Sequence, residues 1–489
     1  MNIPDEVKSI INKLQKKNFE AYVVGGCVRD LLQNKEPRDW DVTTNAQPEE
    51  IQKIFPKSFY ENKFLTVTVQ TESQKPTLKE IEITTYRLEA KYTDKRHPDK
   101  ISFAKTLEED LARRDFTVNA MAIDLLANSE QRTVKIIDLF NGQEDLKNKI
   151  IRAVGNPEER FSEDSLRMLR AARLATVLGF SIEEKTFEAI KKLSSQLKMI
   201  SQERIRDELI KIIINKAAAQ GIELLRTLNL LKYIIPEMEE GYGVGQNKHH
   251  IYEVYEHSLR ALDYAAKNDF NLYVRLAAFL HDIGKPRTKQ GIGSESTFYN
   301  HEVVGAKMTK QILYRLKFSK KDVEKITKLV RYHLFYYNVD EVTDSSVRRL
   351  VRQVGLENME ELLQARMADR IGSGVAKAEP YKLRHLKYII EKVSRDPISV
   401  KMLKVSGNDI MDILGISPGP KVGQVLDILL GYVLDDPEKN KKEFLENEIR
   451  RLDELSENEL KILAQKAKKE REKIETKQDE MTKKKYWVS

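Results

Sequence analysis

The sequence predicts an α+β protein: an N-terminal head built on a mixed β-sheet, followed by a remainder that is almost entirely helical. Two observations predict it. Residues 1 to 145 alternate short β-rich runs (AYVVGG, FLTVTVQ, IEITTYRL, VKIIDLF) with helical patterns such as DEVKSIINKLQKK and PEEIQKIF. From residue 146 onward strand signals almost vanish, and apolar residues recur at three and four in SLRMLRAARLATVLG and ERIRDELIKIIINKAA. Turn-rich stretches then divide the helical part. GYGVGQNKHH closes a neck at 146–240 and opens a third segment at 241–375, and a helical tail occupies 376–489. Within the tail, SPGPKVG is a stiff break before an apolar helix, a geometry that can offer backbone N–H groups to an RNA phosphate, although core packing is the expected role of most of that helix. KILAQKAKKEREKIETKQDEMTKKKYW reads as a charge-dense, solvated helix with few core positions.

Composition narrows the class. With 489 residues, 40% hydrophobic and 33% charged, the chain can bury several cores, which excludes a disordered or collagen-like protein. No run approaches the roughly 20 apolar residues of a membrane span, and MNIPDEVKSIINKL lacks the apolar core of a secretory signal, so a cytoplasmic protein without membrane partners is expected. The single cysteine, Cys27, excludes an internal disulfide, a thiolate zinc cage and a CxxC redox pair. Metal chemistry must therefore use oxygen and imidazole. The 84 Lys and Arg against 76 Asp and Glu give a net +8, which fits a polyanionic partner without demanding one.

In the head, AYVVGG runs directly into CVRDLL. Gly25 and Gly26 thus sit at a strand-to-helix turn where missing side chains let backbone N–H groups approach a phosphate, and Arg29 one turn on can add a cation. In Arg38-Asp39-Trp40-Asp41, alternation along a strand would project Asp39 and Asp41 to one face, an invitation to a divalent cation; a surface strand with water-facing acids is the competing reading. Glu82, acidic among apolar neighbours in EIEITTYR, can complete or brace such a metal site, or pair with an arginine.

GGCVRD, RDWDVTT, EITTYR and LARRDFTVNAMA, followed by IIDLFNGQEDL, RAVGNPEERFSEDSLRMLRAARLATVLGF and ERIRDEL, resemble in order the class II nucleotidyltransferases, the family of tRNA CCA-adding enzymes and bacterial poly(A) polymerases. The resemblance spans at least residues 20 to 210. It implies that Asp39 and Asp41 bind catalytic Mg²⁺, that Gly26, Arg29 and Arg114 contact the triphosphate, and that Glu163-Asp164-Ser165-Leu166-Arg167 is the base-reading motif. Asp164 and Arg167, three apart, are expected on one helix face as an acceptor pair beside a donor fork, with an ordinary surface ion pair as the alternative. Arg170 and Arg173 match further nucleotide-contacting positions. The polar segment KYTDKRHPDKISF reads as a mobile loop. It carries Arg96-His97-Pro98 where complete CCA-adding enzymes usually have Arg-Arg-Pro, and its retention favours full CCA addition.

Five of the eight histidines fall between residues 249 and 301, a clustering that chance does not explain. His257 on an amphipathic helix, the His281-Asp282 doublet in AAFLHDIGKP, and Asp369 in QARMADRIGSG resemble the ligand set of an HD-type metal phosphohydrolase domain. His301 and His333 stand where HD proteins with two metals add ligands; the metal's identity is not readable from donors of this kind. His249, His250 and His385 read as surface or packing residues.

The combined expectation is a CCA-adding nucleotidyltransferase that acts on tRNA with CTP and ATP, uses Mg²⁺ in its head and carries a second divalent-metal centre with possible phosphohydrolase activity in its HD domain. A poly(A) polymerase and a CC-only or A-only enzyme share the head, and an HD phosphohydrolase with a regulatory nucleotide-binding head is the rival from another class.

Overall fold

The computed structural model describes the chain apart from residues 1, 62–65, 91–99, 126–133, 248–250, 395–399 and 489. The Arg96-His97-Pro98 segment and His249 and His250 lie outside the described residues. The chain forms two compact units, one comprising Met1–Leu334 with Gln364–Ala376, the other Phe335–Leu363 with Lys377–Ser489.

In the first unit the strands are β1 (Ala21–Val24), β2 (Asp41–Thr44), β3 (Ser58–Glu61), β4 (Thr66–Gln70), β5 (Glu80–Thr85), β6 (Arg87–Ala90), β7 (Lys100–Phe103), β8 (Met121–Asp124) and β9 (Lys135–Asp138). Strand β7 corrects the loop expected over KYTDKRHPDKISF, because the end of that segment pairs antiparallel with β6. Seven of them form one sheet in the order β3-β4-β5-β2-β1-β8-β9, while β6 and β7 pair by themselves. The sheet is mixed as expected, because β2 and β5 run parallel and its other neighbours antiparallel. Alternation assigns its faces. Val42, Ile83 and Val67 lie in register and are buried in one core with Val7, Ile10, Ile11 and Leu14 of helix Asp5–Gln15. The neighbouring positions Asp41 and Thr43 are thereby turned to the other face, where the Thr43 hydroxyl donates to the Asp110 carboxylate of helix Leu107–Ala112 at 3.2 Å.

Beyond the head the described residues of the unit are mainly helical, with the two-residue parallel pair β10 (Ile150–Ile151) and β11 (Ser181–Ile182) and isolated bridges of Ala153 with Phe116 and of Gln290 with Thr297. Helix Leu166–Leu178 packs on Gln202–Ile213 and Ala218–Thr227. The buried guanidinium of Arg275, on helix Leu272–Leu280, donates to the carbonyls of Ile213 and Asn215 at 3.1 and 3.0 Å, so a cation covers the end of Gln202–Ile213, where helix carbonyls lack partners. At the His281-Asp282 turn, Gly284 faces the backbone of helix His301–Arg315: a Cβ there would lie 2.3 Å from the His301 carbonyl and 2.6 Å from the Gly305 nitrogen. That contact fixes the distance between the doublet and His301.

The second unit has its own core, made by Ile410, Val425, Leu429, Leu445, Ile449 and Leu460 from successive helices. Pro420 occupies the first turn of Pro420–Asp435, as SPGPKVG suggested, and that helix buries Val422, Val425, Ile428, Leu429, Leu430 and Val433. The 30-residue helix Glu457–Tyr486 starts on a Ser456–Glu459 capping box and buries only Leu460, Ala464 and Thr482, matching the expected shortage of core positions.

Because the atoms in its way are backbone, Gly284→Ala should lower stability by about 1–3 kcal/mol. Gly245→Ala, where a Cβ meets nothing within 4 Å, serves as the control. Thermal melts of the two variants check this, and equal midpoints would contradict it.

Candidate active site and metal centre

Antiparallel pairing of β1 with β2 brings the end of the first strand to the start of the second, Val23 opposite Val42. Gly25, the next turn residue, thus reaches Asp41. Its φ of +89° with ψ of −141° is open essentially to glycine alone, and a Cβ there would stand 3.1 Å from Arg114 Nη1 and 3.2 Å from Asp41 Oδ2. Gly26 begins helix Gly26–Leu32. The two glycines, Asp41 and Arg114 therefore share one small volume, with Glu82 in register with Asp41 on the neighbouring strand.

The Asp41 carboxyl is pushed above the usual carboxylate range by burial; Arg114 opposes that push and Asp39 adds to it. The residual negative charge fits a divalent cation. Arg114 is held from beneath by Asp110, a fully buried carboxylate that takes Arg113 at 2.7 and 2.9 Å through Oδ1 and Arg114 at 3.3 Å through Oδ2. Arg29 is also tied down, to Asp30 at 2.7 Å and to the Asn119 side-chain oxygen at 2.7 Å. Asn119 in turn donates to Asp115, which receives Arg170 at 2.5 and 2.8 Å. Burial pushes the Asp115 carboxyl up, but Arg170 and its hydrogen bonds more than offset this and hold it at about 2. One polar chain thus links Arg29 at the glycine turn to helix Leu166–Leu178.

On the neck, Arg167 bonds Glu163 at 2.5 Å and the Arg160 carbonyl at 3.1 Å, whereas Asp164 accepts from Arg204 at 2.9 Å and from the Leu166 backbone at 3.0 Å. Arg173 pairs with the buried Glu208.

The second constellation converges as a buried cluster. His257 Nε2 lies 2.8 Å from His281 Nε2 and 3.3 Å from Asp369 Oδ1. Asp282 Oδ2 is 3.1 Å from both of those imidazoles, while Oδ1 lies 3.4 Å from His301 Nε2 and 3.8 Å from His333 Nε2. The Nδ1 atoms of His281, His301 and His333 sit 2.7–2.8 Å from the carbonyls three residues back, of Ala278, Phe298 and Val330. Donation there fixes each ring and turns Nε2 to the centre, the usual preparation of a histidine ligand. Four imidazoles and two carboxylates fit divalent metal, and the two oxygens of Asp282 serve two separate donor groups, a set suited to a bridged pair of ions. Burial pushes His281 down, but Asp282 and Asp369 draw it up to about 10; burial and the neighbouring His281 hold His333 down at about 3. The cluster opens into a cleft of about 620 Å³ whose wall includes Lys285, Arg366 and Arg370.

Three expectations need correction. Asp39 precedes β2 in a bend, so the pair does not share a strand; the two acids nevertheless interact electrostatically across Trp40, whose buried ring anchors that bend. Glu82 is exposed rather than embedded among apolar side chains, because its position alternates with the buried Ile81 and Ile83. Asp164 does not share a helix face with Arg167, since it stands in extended conformation between helices Pro157–Glu163 and Leu166–Leu178. Asp110, Asn119, Arg204 and Lys285 were not singled out from the sequence. The spacing of Asp110 to Arg113 and Arg114, just past the end of its helix, was an available signal, as was Lys285 in HDIGKP, which donates to Asp282 at 2.7 Å and to Gln246 at 2.6 Å.

The Poly A polymerase head domain family matches residues 21–152, the family described as a probable RNA and SrmB- binding site of polymerase A matches 179–241, and the HD domain family matches 254–372. A CCA-adding enzyme of Ligilactobacillus salivarius (strain UCC118) is 34% identical over 470 residues, 92% of this chain and 99% of that protein. An A-adding tRNA nucleotidyltransferase of Deinococcus radiodurans is 36% identical over 344 residues, 68% of this chain and 76% of that one. The crystal structure of the Bacillus stearothermophilus CCA-adding enzyme in complex with CTP superposes with a TM-score of 0.60 at 28% identity, covering 92% of this chain and 98% of that one.

The depressed Asp115 carboxyl carries a pH signature. Its folded value of about 2 lies below the usual aspartate value of 3.8, so its stabilisation is complete above pH 4 and is lost as pH falls towards 2. Asp115→Asn should therefore remove about 2 kcal/mol at pH 7, and the gap to the parent should close between pH 4 and 2. Urea titrations across that range measure it; a gap independent of pH would refute the assignment.

Proposed function

The chain belongs to the CCA-adding enzyme family, and from that premise we propose that its head adds C, C and A to the 3′ end of tRNA from CTP and ATP, with release of pyrophosphate. The observation that carries the assignment to the head is the packing of Asp41 and Arg114 against the Gly25 turn, with Asp39 beside them. Full CCA addition is favoured over A addition because the match to the CCA-adding relative runs over 92% of the chain, against 68% for the A-adding one.

In this reading the domains divide as head 1–145, neck 146–240, HD domain 241–375 and tail 376–489. The Gly25 N–H is taken by the Met121 carbonyl at 3.3 Å, so the start of helix Gly26–Leu32 presents the backbone N–H groups to the triphosphate, and Arg114, oriented by Asp110, neutralises phosphate charge at the same point. Mg²⁺ is the metal we assign to Asp39 and Asp41, with Glu82 bracing from the next strand; when bound it supplies the charge that favours the 3′-alkoxide and the departing pyrophosphate. Asp164 and Arg167 read the edge of the incoming base. Each has its own support, Arg204 for Asp164 and Glu163 for Arg167, so the reading pair is two braced groups rather than one ion pair. Arg29 and Arg170 secure the turn to the neck through Asn119 and Asp115, and Arg173 extends the nucleotide-facing row. Specificity for tRNA as a class comes from shape and backbone contacts, which suits an enzyme that must accept every tRNA.

The HD cluster is a second centre in which His257, His281, Asp282 and Asp369 would hold one divalent ion and Asp282, His301 and His333 a second, which would supply Lewis-acid chemistry toward a phosphoester. Lys285, Arg366 and Arg370 supply positive charge beside it.

Incubation of the protein with Mg²⁺, labelled CTP and ATP, and a tRNA lacking its terminal CCA should yield ends that sequence as CCA. Asp39→Ala with Asp41→Ala should lower incorporation at least a thousandfold, the scale on which a lost electrostatic clamp registers. Tails of A alone would mark a poly(A) polymerase instead. A second assay separates the centres: His281→Ala with Asp282→Ala should abolish phosphoester hydrolysis and divalent-metal uptake while leaving CTP incorporation within about twofold, and loss of both activities together would contradict two independent centres.

A further inference from the structure

Between His333 and Asp369 the chain leaves the first compact unit, and helix Asp344–Val354 belongs to the second even though the HD domain match extends across it. The helix has one apolar side. Val347 and Val354 are buried and Leu350 and Val351 half-buried, and it packs against helix Tyr381–Ser394. At 100° per residue those four positions span roughly a third of the helix. The opposite side is formed by Ser345, Arg348, Arg349, Arg352 and Gln353, all exposed. It contains no acid. The helix's one carboxylate, Asp344, lies at its start and is paired with Lys392 at 3.2 Å.

Arg348, Arg349 and Arg352 have no hydrogen-bond or ion-pair partner among the described residues. This sets them apart from Arg29, Arg113, Arg114, Arg167, Arg170, Arg173 and Arg204, each of which meets a carboxylate. Arg348 and Arg352 are one turn apart, a rise of about 6 Å along the axis, with Arg349 flanking them. Three guanidinium forks on one rigid, acid-free face offer bidentate hydrogen bonds to successive phosphates and no apolar surface for a protein partner.

We propose that the outer face of helix Asp344–Val354 docks the phosphate backbone of the substrate tRNA through Arg348, Arg349 and Arg352. The proposal rests on the assignment of tRNA as substrate. It adds a specific surface, in the second unit, at which the RNA is held by charge and independently of sequence. The guanidinium groups displace condensed counterions from the RNA, so each contact contributes to the salt dependence of binding.

The test uses the full-length protein and a tRNA transcript lacking CCA, with binding measured by fluorescence anisotropy from 50 to 300 mM KCl. Replacing all three arginines by glutamine should weaken binding at least about tenfold at the lowest salt, and should reduce the slope of log affinity against log salt by about two to three. KM for tRNA should rise while kcat at saturating tRNA stays within about twofold. The triple lysine variant, which keeps the charge, should retain most of the slope. An unchanged thermal midpoint establishes that the glutamine variant is folded; if it is not, each single glutamine variant should lower the slope by about one. Parent-like affinity and slope in the glutamine variants would overturn the docking face and leave it a solvated or protein-binding surface. A parent enzyme that adds nothing to the tRNA would instead overturn the substrate assignment on which the face depends.

Discussion

The buried carboxylate of Asp110 holds Arg113 through one oxygen and Arg114 through the other, and it also receives the hydroxyl of Thr43 from strand β2. A carboxylate with no solvent exposure is tolerated only because two guanidinium groups and a hydroxyl satisfy it. In return, the arginine that meets Asp41 has one orientation available. Burial raises the Asp41 carboxyl and Asp39 raises it further, so the charge balance at the glycine turn depends on Arg114 staying where Asp110 places it. The same logic extends to the neck. Asp115 tolerates burial by pairing with Arg170, and its bond to Asn119 passes the constraint to Arg29.

In the HD domain the compensation has a different form. Backbone carbonyls take the Nδ1 protons of three histidines, which leaves Nε2 atoms and carboxylate oxygens facing one another at 2.8–3.8 Å, with Lys285 on Asp282 and Arg366 on Asp369 as added cations. Such a convergence concentrates donors that repel one another unless a positive charge lies among them. The head therefore stores its charge in ion pairs that set orientation, whereas the HD centre keeps a gap in its charge that a cation fits.

Some features of both centres were legible without coordinates. Gly25 and Gly26 were placed correctly because a β-rich run meeting a helical pattern across two glycines is a local event, and the histidines that converge in the HD domain were recognisable as residue types in a characteristic order. Legibility stopped at geometry that depends on exact element boundaries. Strand β2 begins at Asp41, two residues later than alternation from Asp39 assumed, and helix Pro157–Glu163 ends one residue before Asp164. Periodicity is blind to a break of one or two residues, and both misreadings came from extending a period through such a break. Glu82 was misjudged for a related reason: apolar neighbours in sequence say nothing about the face to which an alternating strand turns the acid between them.

By itself, then, the sequence determined the class of the protein and the chemical types gathered at the proposed phosphate, base and metal sites, since these follow from composition and from spacings of a few residues. Tertiary structure alone decided which charge meets which. Arg170 reaches Asp115 across 55 residues, Arg204 reaches Asp164 across 40, and His257 meets Asp369 from a different helix. Pairings at such separations depend on how helices pack after the chain has turned many times, and the energy that selects them, burial of a charge against its counter-charge, exists only once that packing has excluded water.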